Sequence, residues 1–208
     1  MNSYSPFENK LFVTLWFFIY FATLIWSAID PKDYTIWALE TAPAVVVLII
    51  LFATYKDFPL TPLLYWLMLL FGVILMIGGH YTYSEVPFFD TISHYAGWER
   101  NNYDKLGHFG QGFVPALIMR ELFLRFHVIK KRSWMNLIII AIAFAFSAAY
   151  ELVEWWVAVV DESAAEAFLG MQGDVWDAQS DMFFALIGAA VALLVLEKYH
   201  DKQLKRYK

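Results

Sequence analysis

The sequence predicts an all-α protein, a polytopic membrane bundle of about six transmembrane helices with both termini in the cytoplasm. Of its 208 residues, 60% are hydrophobic and 19% are aromatic, whereas soluble domains are about 45–50% apolar. The apolar residues come in runs of roughly 20, the length at which an α-helix crosses a bilayer. No stretch has the composition of a separate soluble domain, so residues 1–208 are expected to form a single transmembrane domain.

The predicted spans follow the apolar runs in chain order. They are Leu11–Ile29, Ile36–Thr54, Leu60–Gly79, Asp104–Phe126, Asn136–Val160 and Met182–Leu196. The first run is longer than the apolar core of a signal peptide, which has about 7–15 residues, so we expect it to be retained as a helix. The fourth span is the most polar and the richest in glycine.

The distribution of basic residues predicts the orientation. All but three of the 15 Lys and Arg residues fall on one side of the predicted membrane, and the exceptions are Lys32, Arg100 and Lys105. An excess of Lys and Arg marks the cytoplasmic side, so both termini are expected there. Most acidic residues fall on the other side, although acidic residues contribute little to topology. The net charge of −5 argues against a nucleic-acid partner, and membrane lipids are the expected contacts.

Polar side chains gather at the extracytoplasmic ends of three predicted spans. In the stretch NNYDKLGHFGQGF, residues 101–113, Asp104 and His108 are four positions apart and share one face of the fourth helix. Acidic residues also occur inside the fifth span and at the start of the sixth. The candidate catalytic residues are therefore Asp104, His108, Glu151, Glu154, Asp177 and Asp181. Charged groups are costly in lipid, so we expect these side chains to face one another.

Carboxylates and imidazole without sulfur suit a divalent metal ion, and the chain has no cysteine. The candidate metal ligands are Asp104, His108, Glu151 and Asp181. A metal ion there could polarise a phosphoryl oxygen or activate water, and Lys105 and Arg100 are candidates for binding an anion such as a phosphate. The first hypothesis is therefore a metal-dependent enzyme acting on a lipid or lipid-linked head group in the outer leaflet.

Two other hypotheses use the same residues. The polar cluster could be structural, in a non-catalytic membrane factor, with Asp177 capping a helix and Asp104 bonded to His108. It could also serve a cation- or proton-coupled transporter, although the inner halves of the spans offer mainly Arg120 and Glu121 for a polar path. The sequence has no HExxH, GxSxG, P-loop or GxGxxG motif. Its one ExxH match, Glu197 to His200, is interpreted as part of a solvated cytoplasmic tail.

Small residues predict where helices approach closely. The fourth span contains Gly107, Gly110, Gly112 and Pro115, and the sixth contains the run IGAA that includes Gly188. Small residues allow membrane helices to pack at short distance. We expect the fourth, fifth and sixth spans to form the packed centre of the bundle.

Three sequence blocks carry a family resemblance. They are YDKLGHFGQGFVPALIMRELFLR, AAYELVEWWVAV and FLGMQGDVWDAQSDMFFALIGA. They resemble the uncharacterised bacterial inner-membrane family typified by YjdF, and the likeness covers nearly the whole chain. This resemblance implies a polytopic protein of the bacterial inner membrane.

A looser resemblance is to VanZ-like membrane proteins, which are linked to glycopeptide-antibiotic resistance. Their pattern opens one helix with Asp-Lys-x-x-His-Phe, places an acid in the next helix and ends with an Asp-containing stretch before a Gly-bearing helix. The matching residues here are Asp104, Lys105, His108 and Phe109, then Glu151 or Glu154, then Asp177, Asp181 and Gly188. Asp181 departs from the usual Asn of that pattern, and Trp155 and Trp156 are foreign to it. The likeness implies a shared polar site and no particular reaction.

Overall fold

The computed structural model describes residues 9–160 and 172–207, and these residues are mainly α-helical. The helices are α1 (Lys10–Ser27), α2 (Tyr34–Thr54), α3 (Pro62–His80), α4 (Pro87–Ala96), α5 (Tyr103–Arg125), α6 (Arg132–Val160) and α7 (Asp177–Leu204), followed by a short 3-10 helix, Lys205–Tyr207. Five of the described helices, α1, α2, α3, α6 and α7, are long and apolar enough to cross a membrane. The all-α prediction is therefore confirmed.

The long helices share two ends of one bundle. At the first, which we call the upper end, α1 and α3 finish and α2, α5 and α7 begin. The ring of His80 lies with Nδ1 3.1 Å from the carbonyl oxygen of Ser27, and the amide of Lys32 donates to the carbonyl of His80 at 3.0 Å. Arg100, just before α5, contacts Asp177 at the start of α7. These contacts bring the connections on this side together.

At the opposite, lower end, α1, α3 and α6 begin and α2, α5 and α7 finish. Phe12 of α1 packs edge-on against Tyr65 near the start of α3. The hydroxyl of Tyr207, beyond α7, donates to the carbonyl of Leu60 at 3.0 Å. Both described ends of the chain therefore lie at the lower end.

Helix α5 lies at the centre of the bundle. It packs most extensively against α7 and also contacts α6 and α3. Lys105, His108, Arg120 and Glu121 are all buried, so its polar groups face neighbouring helices rather than lipid. This arrangement explains why α5 is less apolar than the other long helices, although its 23 residues reach roughly 34 Å.

The crossing of α5 and α7 requires glycine on both helices. A Cβ atom built at Gly112 would collide with the carbonyl oxygen of Ala185 on α7, and one at Gly188 would collide with the carbonyl oxygen of Phe109 on α5. The two backbones are therefore in direct contact, as small residues permit in membrane helices. The predicted close packing of these two helices is present, and α6 packs against both of them.

Two features differ from the sequence prediction. Helix α7 has 28 residues, because the acids at its start and the polar residues at its end are held by α5 and neighbouring segments instead of leaving the helix. The ten-residue helix α4 was not predicted, since it is too short for a span. Pro87 begins it, and Gly97 ends it with a left-handed φ of 69°.

Candidate functional site

Lysine 105 joins α5 to α7 at the upper end. Its Nζ atom lies 2.5 Å from Oδ1 of Asp177 and 2.8 Å from Oδ1 of Asp181. The Lys105 side chain is 8% exposed and the Asp181 side chain 3%. Two carboxylates, four positions apart on α7, therefore share one buried ammonium group. The ammonium of Lys105 is surrounded by carboxylates. Its predicted role in binding an anion stays a prediction.

Arg100 extends this ion-pair group from the connection between α4 and α5. Its Nη1 lies 2.6 Å from Asp177 and 3.4 Å from Asp174, and its Nη2 lies 3.9 Å from Asp104. Burial disfavours the charged guanidinium, but the hydrogen bond to Asp177 and the charges of Asp104 and Asp181 outweigh it, so the pKa of Arg100 is raised. Like the ammonium of Lys105, the guanidinium of Arg100 is therefore paired with carboxylates.

His108 stands where α5, α6 and α7 meet. Its Nε2 lies 3.3 Å from Asp104 and 3.9 Å from Asp181. Its Nδ1 lies 3.0 Å from Oε1 of Gln111 and 3.6 Å from Oε1 of Glu151. The three helices whose polar residues were expected to meet do so at this imidazole.

Glu151 and Glu154 form the α6 side of the cluster. They are three positions apart, so they project from neighbouring positions on one face of the helix. The side chain of Glu151 is 10% exposed, and Glu154 is buried. Within the described part of the chain, no Lys or Arg lies within ion-pair distance of either carboxylate, and no group donates a hydrogen bond to Oε1 of Glu151.

Sequence reasoning missed three members of the site. Glu40 on α2 is buried, and its Oε2 accepts a hydrogen bond from the Tyr150 hydroxyl at 3.1 Å. Tyr83, between α3 and α4, is also buried, and burial together with the charge of Glu40 raises its pKa well above the usual range. These residues line a cavity of about 100 Å³ together with Asp104, His108 and Glu154. The only sequence signal was an acid within an apolar span, Glu40.

The cluster carries more acid than base. Its carboxylates are Glu40, Asp104, Glu151, Glu154, Asp177 and Asp181, and its basic groups are Arg100, Lys105 and His108. The lysine and arginine lie on the α7 side, next to Asp177 and Asp181. Glu151 and Glu154 lie close to His108 with no described Lys or Arg within ion-pair distance, whereas Asp104 also lies 3.7 Å from Lys105 and 3.9 Å from Arg100. We call this second group, Asp104, His108, Glu151 and Glu154, the acid-rich half.

Two sets of three side chains each have ligand atoms close enough together to hold a metal ion. In Asp104, His108 and Asp181, and again in His108, Glu151 and Glu154, the ligand atoms lie within 4.8 Å of one another. The four predicted metal ligands are thus divided between two sets that share His108. Glu154 joins the second set, and Asp181 of the first is also bonded to Lys105.

Comparison with known proteins identifies the family. The profile of the family described as "Predicted membrane protein (DUF2238)" matches residues 12–202. The chain belongs to this family. It is also similar to the "Inner membrane protein YjdF" of Escherichia coli (strain K12), with 46% identity over 184 residues that cover 88% of each chain. No solved structure matches the chain.

These matches confirm the resemblance to the YjdF-type family. Together with the five apolar helices, they identify this DUF2238 member as a multi-pass protein of the inner membrane. The looser VanZ-like resemblance stays a prediction.

This DUF2238 chain has a second polar cluster, at the lower end, which sequence reasoning largely missed. We call it the lower network; its members are Arg120, Glu121, Arg125, Arg132, Glu197, His200 and Asp201. Arg120, Glu121 and His200 are fully buried. The interpretation of Glu197 to His200 as a solvated tail was therefore wrong for His200, because α7 continues as a helix against α5.

The geometry of the lower network fixes the proton on His200. Its Nδ1 lies 3.1 Å from Nη1 of Arg120, and a guanidinium can only donate. Nδ1 must therefore accept, so Nε2 carries the hydrogen and donates to Oε2 of Glu121 at 2.9 Å. Arg120 also pairs with Asp201 at 2.6 Å. Acids and bases are balanced in this network, in contrast to the upper cluster.

Proposed function

We propose that this protein binds a divalent cation in the acid-rich half of its upper cluster and uses it to act on the head group of a lipid or lipid-linked molecule. The observation that carries the proposal is the pair of poorly exposed carboxylates on α6, Glu151 and Glu154, which lie close to His108 with no described Lys or Arg within ion-pair distance. Buried carboxylates of this density require protons or a cation.

The ligand set that fits best is His108, Glu151 and Glu154, with Asp104 beside it. Oxygen and imidazole ligands suit Mn²⁺, Zn²⁺ or Mg²⁺ rather than a thiophilic metal. Oε1 of Glu151 accepts no hydrogen bond from the described residues, so a ligand atom is available there. When bound, the cation would polarise a phosphoryl oxygen or lower the pKa of a bound water.

The position of the site favours a lipid head group as the substrate. Trp155 and Trp156, next to Glu154 on α6, are exposed on the outside of the bundle. Tryptophan is enriched where the bilayer meets water. A site at this depth would be within reach of a head group from the adjoining leaflet.

The proposal includes six crossings with both termini in the cytoplasm, so that the upper end is extracytoplasmic. The lower end carries most of the Lys and Arg, in agreement with the positive-inside rule. The chain has no cysteine, so Lys131→Cys and Glu99→Cys each introduce a single reporter thiol. In intact spheroplasts an impermeant maleimide should label Glu99→Cys and not Lys131→Cys, and the reverse pattern would invert the topology.

A transporter is less well supported. On α5 the residues between Gln111 and Arg120 are apolar or glycine, and on α7 the residues between Asp181 and Glu197 are apolar or small. These segments lie where the α5 and α7 backbones touch. A polar path from the upper cluster to the lower network would have to open this contact.

The metal is tested on purified protein in detergent. Bound metal is measured by elemental analysis after loading with Mn²⁺ or Zn²⁺ and desalting, for the wild type, His108→Ala, Glu151→Gln and the control Glu197→Gln in the lower network. We expect close to one ion per chain in the wild type and in Glu197→Gln, and loss of it in the two site variants. Equal metal content in all four proteins, or none in any, would refute the cation site.

The reaction is tested separately in vesicles of bacterial phospholipid, with and without an added polyprenyl diphosphate. Released inorganic phosphate and altered head groups are followed by colorimetry and mass spectrometry. The wild type should convert at least one lipid in a metal-dependent way, and Glu151→Gln should not. If the protein binds metal but changes no lipid, the cation site is supported and the enzymatic function is refuted.

A further inference from the structure

The cavity that opens onto the acid-rich half contains one carboxylate, Glu40, that the proposed metal site does not use. It lies between α2, α3, α5 and α6, and its volume is about 100 Å³. Glu40 lines it but belongs to neither set of closely spaced metal-ligand atoms. Glu40 is 7% exposed, and it lies in a helix whose other residues from Tyr34 to Thr54 are uncharged. This buried carboxylate therefore needs a cation or a proton of its own.

The neighbours of Glu40 provide one partner and one unused donor. The Tyr150 hydroxyl donates to Oε2 of Glu40 at 3.1 Å. The Tyr83 hydroxyl lines the same cavity, is buried, and lies near the Glu40 carboxylate, but it makes no hydrogen bond of good geometry to a described residue. Tyr83 as a whole is 8% exposed. A buried hydroxyl without a partner is rare, and its oxygen is available to accept a hydrogen bond from a donor in the cavity.

The lining selects an organic ammonium group rather than an anion. Glu40, Asp104 and Glu154 repel anions. Tyr83, Tyr150 and Phe71 provide aromatic surface that attracts a cation. A primary ammonium has three N–H donors, which match a carboxylate and a phenolic oxygen. A volume of about 100 Å³ corresponds to roughly three waters, which is the size of an aminoethyl group.

We propose that Glu40, Tyr83 and Tyr150 form a subsite for a primary ammonium on a short chain, such as the ethanolamine end of a phospholipid head group. The inference rests on the proposed function, since it names the part of the substrate that would lie beside the metal site. The same chemistry could come from a lipid or from a free amine, and the experiment separates the two sources.

Ligand binding is measured as a shift in melting temperature of the purified protein during titration with ethanolamine in a chelating buffer. Choline is the negative probe, because its trimethylammonium has no N–H donor. We expect saturable stabilisation of the wild type by ethanolamine and none by choline. Glu40→Gln should raise the half-saturating concentration at least tenfold, and the control Glu85→Gln, an exposed partner of Lys32, should leave it unchanged.

A second variant keeps the test decisive if Glu40→Gln folds poorly. Tyr83→Phe removes a hydroxyl that bonds to no described residue, so folding should be retained while ethanolamine binding weakens about tenfold. No stabilisation of the wild type, or equal binding by the wild type and Tyr83→Phe, would overturn the subsite. Because the buffer contains chelator, this result is independent of the metal assays on His108 and Glu151.

The source of the ammonium is decided by lipid retention. Wild type and Glu40→Gln are extracted from vesicles of equal phosphatidylethanolamine and phosphatidylglycerol, and the lipid that copurifies is quantified by mass spectrometry. Enrichment of phosphatidylethanolamine on the wild type alone supports a lipid head group. Ethanolamine binding without lipid enrichment overturns the lipid source and supports a soluble amine.

Discussion

The substitution Glu121→Gln tests whether the lower network stabilises the fold. The Glu121 carboxylate is fully buried and accepts bonds from the amide and hydroxyl of Thr61, from Arg125 at 3.0 Å and from His200 at 2.9 Å. Glutamine keeps one acceptor oxygen and replaces the other with an NH₂ donor. Every orientation therefore sets a donor against a donor, because Nε2 of His200 carries hydrogen and Arg125 only donates.

The expected loss of stability follows from the less costly orientation. With the amide NH₂ facing Arg125, the bonds to the Thr61 hydroxyl and His200 survive, and the Thr61 amide keeps only Oε2, at 3.3 Å, as an acceptor. The lost bond to a charged group costs about 1.5–3 kcal/mol, and the loss of the buried charge adds to it, so we expect a total of about 3 kcal/mol. For a chain of this size that corresponds to roughly 6–12 °C in melting temperature.

The assay is thermal unfolding of purified protein in a mild detergent, with Glu197→Gln as the matched control. Glu197 belongs to the same network, but its side chain is 24% exposed and its partner Arg132 is 54% exposed; the buried Arg120, 3.5 Å from Glu197, keeps its closer partner Asp201 at 2.6 Å. Exposed ion pairs contribute about 0–1 kcal/mol, so this control should melt within about 4 °C of the wild type. A Glu121→Gln shift no larger than that of Glu197→Gln would refute the reasoning.

Two further predictions concern the contact between α5 and α7. Gly188→Ala should destabilise the fold by about 1–3 kcal/mol, because the added methyl meets the carbonyl oxygen of Phe109. The control Gly72→Ala should be tolerated, because its methyl would lie 3.7 Å from Ala44. Equal melting temperatures of the two variants would contradict this. Lys105→Met should cost about 3–5 kcal/mol by leaving Asp181 buried without its ammonium, and adding Asp181→Asn should restore part of the loss. An additive double mutant would show that the ion pair does not couple the helices.

The helices that face lipid could be predicted from the sequence. A helix in contact with lipid needs a long apolar run, whatever its neighbours in the bundle, and such a run is visible in the sequence. Helix α1 was predicted as Leu11–Ile29 and runs from Lys10 to Ser27. Helix α4 was not predicted, since its ten residues are too few for a span and its faces are defined by packing. The end of α7 was predicted too short, because His200 is buried and Glu197 and Asp201 pair with Arg120 of α5.

The candidate site was predictable only where helical spacing placed groups on one face. Asp104 and His108 on α5, and Glu151 and Glu154 on α6, were expected to meet for this reason, and they do. Glu40 gave no such pattern, because a single acid has no spacing. Its partner Tyr150 is 110 positions away in the chain. The pairing of Lys105 with Asp177 and Asp181 likewise depends on the register between α5 and α7, which their glycines set in three dimensions.

The final prediction separates a functional upper cluster from a purely structural one. If the acid-rich half held the helices together, neutralising Glu154 should destabilise the protein as Glu121→Gln does. Glu154 instead lies beside Glu151 with no described Lys or Arg in ion-pair range, so it is either charged and repelled or protonated. Glutamine is isosteric with the protonated acid, and it removes the repulsion from the charged one.

In chelator, Glu154→Gln should therefore melt at or above the wild type, and only the wild type should gain stability when Mn²⁺ or Zn²⁺ is added. A loss of several degrees in chelator would make Glu154 a structural residue. Retained stability with lost cation response would mean that the carboxylates are kept at the expense of stability, as functional groups often are.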